Sequence, residues 1–147
     1  MSQLTLDDGT YLKVHYGSPR MRGRGIFGGL VPYGEVWRLG ANEATEITIT
    51  KKIQFGGKEL PAGTYSLFAI PERDKWTVIV NKNLGQWGAF SYGNDADQMR
   101  IEVPVQTPTE AYEVFTVSFK KDEGEKNARL EMVWDKTQVS VPIEPGS

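Results

Sequence analysis

At 147 residues the chain has the ordinary size of one domain, long enough to bury a core without metal or disulfide staples. Its 17 Lys and Arg against 19 Asp and Glu leave a formal charge of −2, too balanced to call for nucleic acid or an anionic membrane, and the lack of cysteine excludes disulfides, thiol nucleophiles and cysteine metal sites. No apolar run approaches the roughly 20 residues of a membrane-spanning helix, and Met1 to Asp8 lacks a basic segment followed by an apolar export segment.

Strand signals recur along the chain, separated by turn chemistry. Gln3 to Leu6 leads through Asp7-Asp8-Gly9 into Thr10 to Tyr16, where Leu12, Val14 and Tyr16 share one face and Tyr11, Lys13 and His15 the other. The interval from Gly17 to Ala44 holds seven glycines and two prolines, so it predicts at most a short helical turn. Glu46 to Phe55 places Ile47, Ile49, Ile53 and Phe55 on one parity, disturbed at the lysines, and Phe55-Gly56-Gly57-Lys58 reads as a type I′ hairpin turn. Tyr65 to Ile70 and Trp76 to Asn81 are nearly apolar on both parities, which predicts central strands covered on two sides. After a polar, glycine-rich loop from Lys82 to Asp97 come Gln98 to Val103, Tyr112 to Lys121, Asn127 to Trp134 and Thr137 to Ile143. Eight or nine short strands with a long glycine-rich loop predict an all-β, antiparallel β-sandwich of jelly-roll-like type, with residues 1–147 forming a single domain.

The chemistry-bearing residues are few. Gly23-Arg24-Gly25-Ile26-Phe27-Gly28 spells G-x-G-x-x-G, but no strand-to-helix turn surrounds it and Gly29, Pro32 and Gly34 oppose a long helix, so cofactor binding is set aside for a tight irregular loop. His15 is the sole histidine; a metal site would need at least two more ligands, with Glu43 and Glu46 as companions, and no metal site is expected. No G-x-S-x-G elbow is present, and Ser18 follows His15 too closely in an extended segment to be a nucleophile. Glu35, Glu43 and Glu46 are the carboxylates nearest the odd loop, with Trp37 as a sugar-stacking platform or a core plug. Arg20, Arg22 and Arg24 form the densest basic cluster, a solvated loop or an anion-binding one.

A segment as long as Tyr16 to Glu46 must satisfy its backbone somewhere, and its Ile26, Phe27, Leu30, Val31 and Trp37 predict that it folds back over the sandwich, holding Arg38, Asn42 and Glu43 half-buried. Gly23-Arg24, Ile26 to Gly34, Val36-Trp37-Arg38, Gly40 to Thr45, Leu60 to Phe68, Ile70-Pro71, Trp76-Thr77 and Gln86 to Phe90 form a set of short pieces spread over residues 23–90. In these pieces the sequence resembles the DUF2911 family of uncharacterised proteins, found mostly in Bacteroidetes and related bacteria. The resemblance implies a small β-rich domain, often preceded by an export signal, and carries over no catalytic residue. Family members commonly read Tyr-Ser-Arg-Pro where this chain has Tyr16-Gly17-Ser18-Pro19, and often Thr where Leu39 stands.

Three readings of function follow. The preferred one is a noncatalytic domain binding a small polar or carbohydrate ligand between the two loops, through Arg20, Arg38, Asn42 and Glu43 with Gln86 and Trp87, and with His15 as a further pocket candidate. The second is a carboxylate-dependent hydrolase with Glu43 or Glu46 as acid or base and Arg38 as electrostatic partner. The third is a protein-interaction module presenting Trp87. No cofactor, nucleic acid or membrane span is expected. The compartment stays open: exported or periplasmic where a leader has been removed, cytoplasmic otherwise.

Overall fold

Leu12 and Val14 are fully buried while Lys13 and His15 beside them are exposed, so the period-two pattern is carried out residue by residue. The computed structural model describes residues 1–41, 43–85, 96–122 and 124–146. Its strands are β1 (Ser2–Thr5), β2 (Tyr11–His15), β3 (Thr45–Ile49), β4 (Ile53–Phe55), β5 (Lys58–Leu60), β6 (Gly63–Pro71), β7 (Lys75–Asn81), β8 (Asp97–Pro104), β9 (Tyr112–Lys120), β10 (Ala128–Asp135) and β11 (Thr137–Pro145). They form two antiparallel sheets, one of order β1-β2-β3-β6-β7-β8 and one of order β5-β4-β11-β10-β9. Among the described residues there is no α-helix, and hence none long and apolar enough to cross a membrane.

The strand count exceeds the expected eight or nine for a physical reason. Ile47, Ile49, Ile53 and Phe55 do share one buried side, but residues 50–52 carry the chain from one sheet to the other, so the stretch is two strands. The disturbance at the lysines marks this crossing: Thr50 N–H donates to the Tyr11 carbonyl at 3.1 Å and Lys51 Nζ to the Asp8 carbonyl at 2.7 Å. The hairpin that follows pairs Phe55 with Lys58, and Gly56 and Gly57 take φ of 60° and 83°, the positive values that a two-residue type I′ turn needs at both centres. Its return arm, β5, adds a further strand.

The core lies between the sheets. Leu67, Ala69, Val78 and Val80 of β6 and β7 face Phe115, Leu130, Met132 and Val141 of the opposite sheet, all buried. On the other face of β6 and β7, Phe68 and Ile79 are fully buried as well, in a smaller cluster with Ala44. These two strands are therefore covered on both sides, as their doubly apolar sequences predict. The strand order consists of hairpin meanders that stay within a sheet, joined by crossings at β3–β4, β5–β6 and β8–β9. The expectation of a jelly roll finds no support in this order, because loop residues that decide between sheets leave no periodic signal.

The long segment between β2 and β3 ties the two sheets together. Phe115 N–H donates to the Pro19 carbonyl and Met21 N–H to the Glu113 carbonyl, each at 2.9 Å, which covers the free edge of β9. Further on, Trp37 exchanges both backbone bonds with Ala69 at 2.7 and 2.9 Å, and Gly34 N–H donates to the Pro71 carbonyl at 2.9 Å. Residues 34–37 thus occupy the position beside β6 that β3 vacates beyond Thr45. Between these anchors, Ile26 and Val31 are buried and the turn closes on itself through Val31 N–H to the Ile26 carbonyl at 2.8 Å. No helix follows the G-x-G-x-x-G stretch.

Candidate functional site

Aromatic side chains from all three parts of the fold meet at this tie. Phe27 touches Trp37, Trp76 and Trp134, with ring centroids 5.8, 5.3 and 6.3 Å away, and Trp37 stacks on Trp134 at 6.1 Å and 17°. Beside this cluster lies a cleft of about 410 Å³. Its apolar wall consists of Pro19, Leu30, Val31, Val36, Trp37 and Trp134; Gly40 and Ala41 supply a backbone wall; Arg24 and Arg38 supply charge.

Local structure places each group. Arg38 directly follows the Trp37 anchor, its Nε donates to the Gly40 carbonyl at 3.2 Å, and its carbonyl accepts Thr45 N–H at 3.2 Å. Leu39, fully buried, takes a left-handed φ of 54°, costly for a side chain of this size. The buried Thr45 hydroxyl holds that conformation by donating to the Leu39 carbonyl at 2.5 Å. On the other side, Arg22 turns the chain with φ 51°, and Arg24 folds back to donate from Nε to the Met21 carbonyl at 2.9 Å and from Nη2 to the Arg20 carbonyl at 2.7 Å. The Glu113 carbonyl joins both walls, accepting Met21 N–H at 2.9 Å and Trp134 Nε1–H at 3.1 Å.

The electrostatics are one-sided. The ion pairs among the described residues, such as Lys75 with Glu102 and Arg129 with Glu131, all lie elsewhere, and neither Arg24 nor Arg38 has a carboxylate partner among those residues. Among the described residues no Asp, Glu or His belongs to the cleft lining. Cationic side chains that can donate to an anionic or strongly accepting group thus stand next to an apolar wall.

The residues singled out from sequence fall in different places. Arg38 lines the cleft. Arg20 does not: it is exposed, its backbone bridges to Val114, and it contributes its carbonyl to Arg24. Glu43 is exposed and outside the lining. Asn42, Gln86 and Trp87 lie outside the described residues. His15 and Glu46 are directly opposite each other on β2 and β3, away from the cleft lining, and Glu46 accepts Gly85 N–H at 3.1 Å. Among the described residues no three His, Asp or Glu side chains gather as a metal-ligand group.

That pairing belongs to a larger feature. His15, Glu46, Ser66, Asn81 and Asp97 are successive cross-strand partners, a polar row across five strands on the face of the first sheet turned away from the core. Ser66 and Asn81 are fully buried there: Ser66 Oγ donates to the Asn83 carbonyl at 2.6 Å, Asn81 Nδ2 to Asp97 at 2.9 Å, and Asn81 Oδ1 accepts Asn83 N–H at 2.9 Å. The row anchors the start and end of the β7–β8 connection. Its signal in the sequence was a polar residue at 66 and at 81 next to the apolar runs Leu67 to Ile70 and Val78 to Val80.

Arg24, Leu30, Val36 and Trp134 were not named as site residues from sequence. Arg24 stood in the basic cluster, but which of its arginines enters the cleft depends on the turn at Arg22; Trp134 comes from the opposite sheet, more than ninety positions from Trp37. No curated protein and no solved structure matches this chain. The sequence model of one family, described as a protein of unknown function (DUF2911), matches residues 2–143, nearly the whole chain. The chain belongs to the DUF2911 family.

Proposed function

We propose that this domain is a noncatalytic binding module that holds a small polar ligand, carbohydrates included, in the cleft between residues 17–41 and Trp134. The observation that carries the reading is the meeting of two arginines, without carboxylate partners among the described residues, and an apolar wall containing two tryptophans. A carboxylate-dependent hydrolase would need an acid or base at the ligand, and Glu43 and Glu46 stand outside the lining. An interaction module would present a broad apolar patch, whereas the exposed large apolar side chains among the described residues, Met1, Leu30, Leu84 and Tyr112, belong to different elements and loops.

The test is a titration of tryptophan fluorescence with a panel of sugars and small anions, repeated on Arg38→Ala, with recovery of each ligand checked chemically. A saturable response that weakens in Arg38→Ala, with the ligand recovered unchanged, is expected. Absence of saturation, a response indifferent to Arg38, or turnover of the bound ligand would each overturn the reading.

A further inference from the structure

The cleft sets fixed positive charge beside bulky apolar rings. A neutral sugar needs a ring platform and a mixture of donors and acceptors; a bare inorganic anion needs only the cations. We infer that the ligand of this cleft is an organic carboxylate with a flat apolar body, its carboxylate held by Arg38 and Arg24 and its body against Trp37 and Leu30. The inference rests on the binding proposed above and names the ligand class.

Each guanidinium has five N–H donors in a planar fork. Arg38 spends its Nε on the Gly40 carbonyl, and Arg24 spends Nε and Nη2 on the Met21 and Arg20 carbonyls. These bonds fix the stems of both side chains and leave further N–H groups without a protein acceptor among the described residues. The two oxygens of a carboxylate match such a fork, and being anionic it also offsets the repulsion between two like charges in one cleft. A body of matching character is called for by the apolar wall: Trp37 is half-buried, with one face of its indole stacked on Trp134, and Leu30 is 47% exposed at the cleft. At about 410 Å³ the cleft is near the small end of the ~300–1,000 Å³ seen for small-molecule sites, room for one or two fused rings and an acid group.

Calorimetric titration with 2-naphthoate, its neutral isostere 2-naphthamide, and inorganic phosphate separates the contributions. 2-Naphthoate should bind about tenfold or more tightly than either, with an advantage over the amide that shrinks as salt is raised. Arg38→Gln and Arg24→Gln should each remove most of that advantage while leaving amide binding near its original value. Leu30→Glu, a change at an exposed position that the fold tolerates, should weaken naphthoate about tenfold by placing a like charge in the cleft. Equal affinity for acid and amide, with both lost on blocking the cleft by Leu30→Trp, overturns the ligand class and leaves the binding module standing. Phosphate binding as tightly as naphthoate also overturns the class. Binding of all three probes that ignores Arg24, Arg38 and Leu30, or no binding of any, overturns the class and the cleft together.

Discussion

The backbone of Gly17 lies directly against Ala41: a β-carbon on Gly17 would fall 2.2 Å from the Ala41 carbonyl oxygen. The contact is mutual, since a β-carbon on Gly40 would come 2.8 Å from the Gly17 carbonyl oxygen. Two strands of loop are thus laid backbone on backbone, and this is what brings Gly40 and Ala41 up as a wall of the cleft.

Gly17→Ala should therefore cost at least about 2 kcal/mol, because the obstructing atoms are backbone and cannot swing aside as a side chain would. Gly40→Ala should cost a similar amount. The double variant should cost less than the two together, since one displacement of the loops relieves both clashes. Urea denaturation of the three variants measures this; strict additivity would show that the two glycines are not in one contact.

The buried Thr45 hydroxyl holds the Leu39 carbonyl in a backbone conformation that leucine does not favour. Thr45→Val keeps the shape and removes the donor, leaving a buried carbonyl short of a partner at a cost of about 1–3 kcal/mol. Because Leu39 follows Arg38, the same variant should loosen Arg38 and weaken binding of an anionic probe beyond what the lost stability explains. A Thr45→Val protein with native binding would detach the strained residue from the site.

Arg22 also has a left-handed φ, of 51°, but on an exposed turn, where its backbone N–H donates to Glu113 Oε2 at 2.9 Å. Glycine should be accommodated there within about 1 kcal/mol of the native protein, its relief of strain set against its greater freedom when unfolded. Valine, whose branched β-carbon is worst suited to this region, should cost about 1–2 kcal/mol. Since this turn aims Arg24, Arg22→Val should also weaken anion binding while Arg22→Gly leaves it intact; thermal melts and the same titration give both readings.

The parts of this molecule that were legible in the chain are those with a local signal. Alternation at Leu12-Lys13-Val14-His15 states which side is inside, the doubly apolar Leu67 to Ile70 and Val78 to Val80 state that two layers cover them, and Gly56-Gly57 states the hairpin. Crossing between sheets at residues 50–52 was only hinted at by two lysines, because a strand that continues in its own sheet and one that passes to the other keep the same parity. Arg38 could be picked out beside Trp37, but Trp134 joins them by stacking on Trp37 from the opposite sheet and Arg24 by folding back on the Met21 and Arg20 carbonyls, a tertiary convergence without any spacing rule. The polar row from His15 to Asp97 was illegible as a row for the same reason: its members are neighbours through strand register, not along the chain.

Local bonds make the β1–β2 turn sensitive to acid. Asp8 accepts the Thr10 hydroxyl at 2.6 Å and the Thr10 N–H at 3.0 Å, and these bonds, helped by the Lys51 charge, hold its carboxyl below the ordinary 3.8. A carboxyl with a depressed folded-state pKa binds its proton more tightly when unfolded, so its contribution to stability is complete above 3.8 and is lost as pH falls through the lower folded value. Asp8→Ala should accordingly melt below the native protein at neutral pH, and the gap should narrow on acidification only once the pH passes below 3.8. Thr10→Val, which removes the hydroxyl donor, should lower the gap's size and shift its narrowing upward toward 3.8. Melting curves of the three proteins across the acid range decide the matter: a gap that stays constant to the lowest pH would assign the effect of Asp8 to turn shape and not to its charge.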